Sequence, residues 1–176
     1  MSEPRSTLIL GGARSGKSRY AIEQALATGG RVAFIATAEA LDAEMARRIA
    51  HHRRERPAHW VTVEAPTDLV GAVQDLTSRV DTLIIDCLTI WVANRCQRES
   101  ADDALLADAD ALADLVKARR VTMLLVSNEV GQGVHPETEL GLRFRDLLGV
   151  VNQRVAAAAD QVVLMVAGLP VTAKGV

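Results

Sequence analysis

Five apolar runs recur along the chain with amphipathic stretches between them, and this alternation limits the fold more than any other feature. The runs are "TLIL" at 7–10, "VAFIAT" at 32–37, "TLIIDC" at 82–87, "VTMLLVS" at 121–127 and "QVVLMVA" at 161–167. Each is almost continuously apolar, which is the habit of a strand covered on both faces, as in a parallel sheet. A shorter run, "VTVEA" at 61–65, reads as an edge strand. Helical patterns fill the intervals at about 17–28, 40–55, 67–78, 88–97, 101–119 and 137–159. Strand followed by helix, repeated, requires crossover connections. The expected fold class is therefore α/β, a mainly parallel sheet flanked by helices, with ligands gathered at the C-terminal ends of the strands.

A chain of 176 residues, 49% of them hydrophobic, fills one good core and is too short for two ordinary domains, so residues 1–176 are expected to form a single domain. A formal charge of -2 supplies no overall field to draw in nucleic acid or an anionic membrane. Cys87 and Cys96 lack the paired spacing of a zinc site and read as reduced thiols. The polar start "MSEPRST" lacks the apolar core of a secretory signal, and no run approaches the roughly 20 apolar residues of a membrane span. The expectation is a soluble, cytoplasmic protein.

The first run leads into "GGARSGKS". Gly11, four residues, then Gly16, Lys17 and Ser18 satisfy the phosphate-loop pattern G-x-x-x-x-G-K-[ST] at every fixed position, between a strand and a helix as that pattern requires. Glycines let the backbone N–H groups of Gly11, Gly12, Ala13, Arg14, Ser15 and Gly16 turn towards an anion; Lys17 adds a mobile cation and Ser18 a hydroxyl for Mg2+. The start of a helix favours negative charge as well. Nucleotide phosphates are expected here.

Other candidates follow the later strands. Asp86 ends "LIID", where an acid would hold magnesium near Ser18; an aspartate there also suits a cap for the helix starting at Leu88. In "LDAEMARRIAHHRRERPAHW", Met45 and Ile49 mark the inward stripe of a helix that Pro57 limits. His52 lies three residues beyond Ile49 and stays beside that stripe, whereas His51 points well away. A neutral imidazole near phosphates is a nucleophile for phosphorus, with Arg53, Arg54 and Arg56 to neutralise charge; a satisfied histidine on a solvated basic helix fits the spacing too. The loop "SNEVGQGVHPE" places Glu129 at another strand end, to polarise a hydroxyl or approach magnesium, or as part of an ordinary surface turn.

Across nearly its whole length, through "GGARSGKS", "FIATAEALDAEMARRIAHHRRERPAHWVTVEAP", "IIDCLTIWVAN", "SNEVGQGVHPE" and "FRDLLGVVNQRVAAAADQVVLMVAGLPV", the sequence resembles the bifunctional cobinamide kinase and cobinamide-phosphate guanylyltransferase family of cobalamin biosynthesis. The resemblance implies a RecA-like phosphate-loop domain that phosphorylates adenosylcobinamide with ATP or GTP. It implies further that GMP then passes from GTP to adenosylcobinamide-phosphate through a guanylylated histidine, giving adenosylcobinamide-GDP and pyrophosphate. The family pattern runs here as Glu44, Met45, Arg48, Ile49 and His52, so the resemblance puts the modified histidine at His52; Lys17, the mobile cation of the phosphate loop, is the second expected catalytic residue. It assigns nucleotide contacts to residues 11–18, to Ala36, Thr37 and Ala38, to Arg53, Arg54, Glu55 and Arg56, and to Glu64 and Asp86. It also implies a homotrimer with sites at subunit boundaries. A nucleotide switch or motor, or a simple small-molecule kinase, would carry the same loop; release of pyrophosphate from GTP separates the family reading from both.

Overall fold

The computed structural model describes residues 3–175 except 41, 55, 99, 100 and 134, and it leaves the side chains of Arg48 and His51 undescribed. Glu55, one of the expected nucleotide contacts, thus lies outside the described residues. The elements run β1 (Ser6–Gly11), α1 (Lys17–Thr28), β2 (Val32–Ala36), α2 (Ala43–Arg54), β3 (Val61–Glu64), α3 (Leu69–Leu76) and β4 (Thr82–Asp86). They continue as α4 (Leu88–Arg98), α5 (Asp102–Lys117), β5 (Thr122–Val126), α6 (Glu139–Ala158), β6 (Gln161–Val166) and β7 (Leu169–Lys174).

All seven strands join one sheet in the order β3-β2-β4-β5-β1-β6-β7. The pairings among β1 to β6 are parallel, and β3 forms one edge, as its short, less apolar sequence suggests. Both faces are covered. Leu8, Ile35, Leu83, Ile85 and Leu125 turn to the side where Leu69, Trp91, Leu112 and Val151 of α3 to α6 pack; Ile9, Phe34, Ile84, Leu124 and Val163 turn to the other, against Ala21, Ile22 and Ala25 of α1. Successive strand residues face opposite ways, so covering both faces makes every position apolar and produces the continuous runs seen in the sequence.

The registers set up what matters for function. Glu64 pairs with Ala36, Ala36 with Asp86, Asp86 with Val126, and Val126 with Ile9, one row across five strands. The chain leaves each of these strands at or just past this row, so the loops after β1, β2, β3, β4 and β5 emerge along a single edge.

One strand has no counterpart in the sequence reading. After β6 the chain reverses at Ala167 and Gly168, with φ 50° and 84°, and β7 pairs antiparallel with β6. All six β7 residues are exposed, so no buried face imposes an apolar pattern on "LPVTAK", and Pro170 is tolerated on an edge strand. At its end Lys174 Nζ donates to the carbonyls of Ala156, Ala157 and Ala159 at 2.8, 2.9 and 2.6 Å. A cation there satisfies the open carbonyls at the C-terminus of α6. No helix among the described residues is long and apolar enough to cross a membrane.

Candidate nucleotide and phosphoryl-transfer site

The loop between β1 and α1 turns on two glycines whose backbones other residues rarely adopt. Gly11 has φ 148° and a Cβ there would lie 2.6 Å from the Met165 carbonyl; Gly16, with φ 97°, precedes the first turn of α1. The loop is held from outside as well. Gly168 N–H of the β6–β7 turn donates to the Ser15 carbonyl at 3.0 Å, and Glu129 N–H donates to the Gly11 carbonyl at 3.2 Å. Gly12, Ala13 and Arg14 are exposed at its crest, whereas Ser15 and Lys17 are buried and Ser18 is half-buried. Lys17 folds back inside the loop, donating from Nζ to the Gly12 carbonyl at 2.5 Å and to Ser15 Oγ at 3.3 Å. Burial pushes its pKa below the ordinary value, while the nearby Asp86 carboxylate pulls it back up. An ammonium with two weak neutral partners in a desolvated loop gains from meeting a phosphate.

The electrostatic influence of Asp86 on Lys17 brings together the two ends expected to flank a metal–nucleotide. Asp86 is half-buried at the end of β4, and Ser18 is half-buried in the first turn of α1, next to Lys17. The donors are oxygens, a carboxylate and a hydroxyl, and among the described residues no group of three or more His, Cys, Asp or Glu forms a metal cage. Such a set suits Mg2+, which takes one or two protein oxygens and completes its shell with water and phosphate. Next to Asp86, the Cys87 thiol is pushed up to about 12 by burial and by the Asp86 charge, so it stays a neutral thiol.

Behind this edge lies a buried polar network that the sequence reading missed. Thr37 Oγ1 donates to the Cys87 carbonyl and accepts from the Cys87 N–H, both at 2.8 Å, tying the end of β2 to the end of β4. Asn94 of α4 donates to the carbonyls of Thr37 and Pro66 at 2.9 and 3.0 Å. Ser127 Oγ donates to Asn152 Oδ1 at 2.7 Å, Asn152 Nδ2 donates to the Asn128 carbonyl at 3.0 Å, and Asn128 N–H donates to Thr89 Oγ1 at 2.7 Å. The only signal for it in the sequence is a polar residue at the end of an apolar strand or on an otherwise apolar helix face, as in "LLVSN" and "VVNQR". Of the expected contacts at 36–38, Thr37 is fully buried with its hydroxyl committed to Cys87, so it presents no hydroxyl to a ligand; Ala36 and Ala38 are half-buried.

At the other end of the row, α2 stands over β2 and β3. Its half-buried positions are Met45, Ile49 and His52, the stripe expected from the spacing, and Arg56 continues it just past the helix end. Arg56 stacks on Phe34 of β2, 3.2 Å from the ring centre, so this cation is directed onto the sheet. Beside the stripe, Ala46, Ile49, Ala50 and Arg53 face Ala38 and Glu64 across a cleft of about 510 Å³. Arg53 and Glu64 pair at 2.5 Å at its mouth, and Arg54 is exposed. Three of the residues expected around the nucleotide, one each from the loop after β2, from α2 and from β3, thus meet in one cleft.

The cobinamide kinase / cobinamide phosphate guanyltransferase family model matches residues 7–173, from β1 to β7. The chain belongs to this family. It is 44% identical to the bifunctional adenosylcobalamin biosynthesis protein CobP of Pseudomonas aeruginosa, with 96% of each chain covered. It is 41% and 38% identical to the proteins named CobU in Salmonella typhimurium and Escherichia coli, covering 95% of this chain and 98% of each relative. Among solved structures the fold is shared with the RadB recombinase, at TM-score 0.52 and 15% identity over 92% of this chain and 74% of that one. It is shared also with an ATPase of a bacterial type III secretion system, at TM-score 0.57 and 13% identity over 93% of this chain and 51% of that one. At such identity the likeness is one of fold, the RecA-like arrangement of a phosphate loop on a parallel sheet.

Proposed function

We propose that one nucleotide site serves both reactions of the family, with the phosphate loop at one end of the strand-end row and His52 at the other. The chain is then a kinase for adenosylcobinamide and a guanylyltransferase for adenosylcobinamide-phosphate, using ATP or GTP for the first and GTP for the second. The observation that carries the reading is the register itself. It puts Ile9, Asp86, Ala36 and Glu64 in one row, which supports a single ligand lying along the edge within reach of residues from β1 to β3. Three strand spacings of about 4.8 Å, roughly 14 Å, separate β1 from β2, a span suited to a nucleoside triphosphate.

In the phosphoryl step, the loop N–H groups and Lys17 hold the terminal phosphates while the hydroxyl of adenosylcobinamide attacks the γ-phosphorus. Ser18 and Asp86 would hold Mg2+, which supplies neutralisation of phosphate charge when bound. In the nucleotidyl step, a ring nitrogen of His52 bonds to the α-phosphorus and the bond to the β-phosphate oxygen breaks. Pyrophosphate leaves from the loop, where Lys17 balances its charge. A phosphate oxygen of adenosylcobinamide-phosphate then attacks the same phosphorus and releases His52. Arg53, drawn to the cleft by Glu64, is the cation placed to neutralise the α-phosphate.

The assembly we propose is a homotrimer, with the corrinoid resting at subunit boundaries; exposed Val166, Leu169 and Val171 on the β6–β7 hairpin support an oligomeric surface.

Labelling at the α-phosphate tests the reading. After incubation with such GTP, GMP is expected on the protein through a bond labile in acid and stable in base. His52→Ala is expected to lose the label and adenosylcobinamide-GDP while accumulating adenosylcobinamide-phosphate, and His51→Ala to retain both. Transfer that survives in His52→Ala but fails in His51→Ala moves the nucleophile by one residue, and transfer surviving in both variants removes the histidine mechanism.

A further inference from the structure

The phosphoryl step needs a group to receive the proton of the attacking hydroxyl, and the residues so far assigned do not supply it. His52 belongs to the α-phosphate end, and Lys17 is a cation among phosphates. Four carboxylates stand at, or within three residues past, the ends of β2 to β5. Glu64 is paired with Arg53 and Glu39 with Arg98, each at 2.5 Å, and Asp86 lies within the electrostatic reach of Lys17. The fourth is Glu129, and among the described residues no arginine or lysine pairs with it.

We propose that Glu129 is the general base of the phosphoryl transfer, a reading that rests on the kinase activity proposed above. In the sheet, β5 lies between β4 and β1, so the residues leaving β5 stand between Asp86 and the phosphate loop. The Glu129 N–H donates to the carbonyl of Gly11, the first glycine of that loop, which fixes its backbone to the cradle. On its N-terminal side, Thr89 and Asn152 clamp the N–H and the carbonyl of Asn128, and Ser127 is fully buried and bonded to Asn152. The base of the side chain is therefore rigid. Glu129 is half-buried, and among the described residues its carboxylate meets only the N–H of Gly131, at 3.3 Å, so its oxygens keep lone pairs for an incoming hydroxyl. A fixed backbone under an uncommitted carboxylate, next to the loop that holds the γ-phosphate, is the arrangement general-base catalysis needs.

The step balances as follows. The hydroxyl oxygen of the substrate bonds to the γ-phosphorus, the bond from that phosphorus to the bridging oxygen breaks, and the nucleoside diphosphate leaves with the bond's electron pair. The hydroxyl proton passes to Glu129 and from there to solvent. Guanylyl transfer starts from a phosphate already ionised, so it has no proton for Glu129 to take.

That difference gives the test, made on the full chain. The wild-type protein is assayed first for adenosylcobinamide-phosphate; absence of that product removes the kinase reading and this role of Glu129 with it, whereas the outcomes below bear on Glu129 alone. In Glu129→Gln, which keeps the size and the hydrogen bond to Gly131, kcat for phosphorylation is expected to fall about 100-fold or more, with KM for the nucleotide near wild type. Glu129→Asp is expected to recover part of that loss, and guanylylation of supplied adenosylcobinamide-phosphate by both variants to stay within about threefold of wild type. Phosphorylation by Glu129→Gln at near the wild-type rate overturns the proposal. So does an equal fall of both activities, or a loss carried by nucleotide KM alone, since either marks a structural or metal-holding role.

Discussion

Replacing Lys17 by Met separates what the lysine does for the nucleotide from what it does for the fold. The side chain is buried, and among the described residues its ammonium has only the Gly12 carbonyl and the Ser15 hydroxyl as hydrogen-bond partners. Met keeps the stem and removes the charge. Exchanging a buried charge for an apolar group of similar size is often close to neutral, so the empty variant is expected within about 1 kcal/mol of wild type or above it. The nucleotide-dependent part changes far more. Ligand at 100 times its Kd stabilises the wild type by about 2.7 kcal/mol, a rise in Tm of roughly 5–11 °C for a chain of this size. Losing a hydrogen bond to a charged group costs about 1.5–3 kcal/mol and raises Kd roughly 13- to 160-fold. The same nucleotide concentration then stabilises the variant by only about 0.3–1.3 kcal/mol, or roughly 1–5 °C. The pH dependence has a definite sign. The folded pKa of Lys17 lies below the unfolded value of 10.5, so the unfolded chain binds the proton more tightly. The resulting penalty is complete below the folded pKa and disappears as pH rises towards 10.5. Any advantage of empty Lys17→Met over wild type should therefore shrink with rising pH. Thermal melts with and without nucleotide, repeated along that pH series, measure all of this. A nucleotide shift equal to that of wild type would falsify the assignment of Lys17 to the phosphates, and a loss of several kcal/mol in the empty variant would show that the lysine mainly holds the loop together.

Asp160, between α6 and β6, accepts from the N–H and hydroxyl of Ser6 at 2.9 and 3.0 Å and pairs with Arg119. Burial works to raise its pKa, but these partners outweigh it and hold the carboxyl below 3.8, so its contribution is complete above 3.8 and lost as pH falls through the folded value. Asp160→Asn is expected to lose about 1–2 kcal/mol at neutral pH and to converge with wild type in acid; calorimetry across pH checks this, and a gap that persists in acid counts against it. Asn152→Ala removes the acceptor of the buried Ser127 hydroxyl, leaving it a weak contact with the Thr89 hydroxyl at 3.4 Å, and removes the donor to the Asn128 carbonyl; it is expected to cost about 2–4 kcal/mol in urea unfolding, with phosphorylation impaired as the loop carrying Glu129 loosens. Unchanged stability would mean that the network contributes nothing.

How far each feature could be read in the sequence follows from how local its cause is. Runs such as "TLIIDC" announce β4 because burial on both faces dictates every side chain in turn. The phosphate loop is legible because its glycines and lysine act within eight residues. Register is not local, and it alone turns Glu64, Ala36 and Asp86 into neighbours. The same holds for Thr37 and Cys87, 50 residues apart, whose two hydrogen bonds no spacing rule anticipates. In the basic run after His52 the sequence presents like residues and the structure divides them: Arg53 reaches Glu64 at the cleft, Arg54 stays in solvent, and Arg56 lies over Phe34. β7 was missed because full exposure frees it from any pattern.

The two ends of the site differ in how they are held, and the difference matches the two chemistries proposed for them. α1 buries Lys17, Ala21, Ile22 and Ala25, and its loop is bonded to the β6–β7 turn and to Glu129, so the phosphate cradle is built into the core. Among the described residues of α2 none is fully buried; the helix reaches the sheet through the Arg53–Glu64 pair, and Arg56 lies on Phe34 just beyond its end. Elements with few buried contacts open at low free energy, whereas core elements open only with the whole domain. Phosphoryl transfer depends on donors that do not have to reorganise, which favours a cradle fixed by the core. A nucleophile that must bond to the α-phosphorus, carry GMP and then surrender it to a large substrate needs room to move between two partners. Under the proposed roles, His52 on the lightly anchored helix and Lys17 in the core would let one nucleotide site meet both demands without altering the sheet between them.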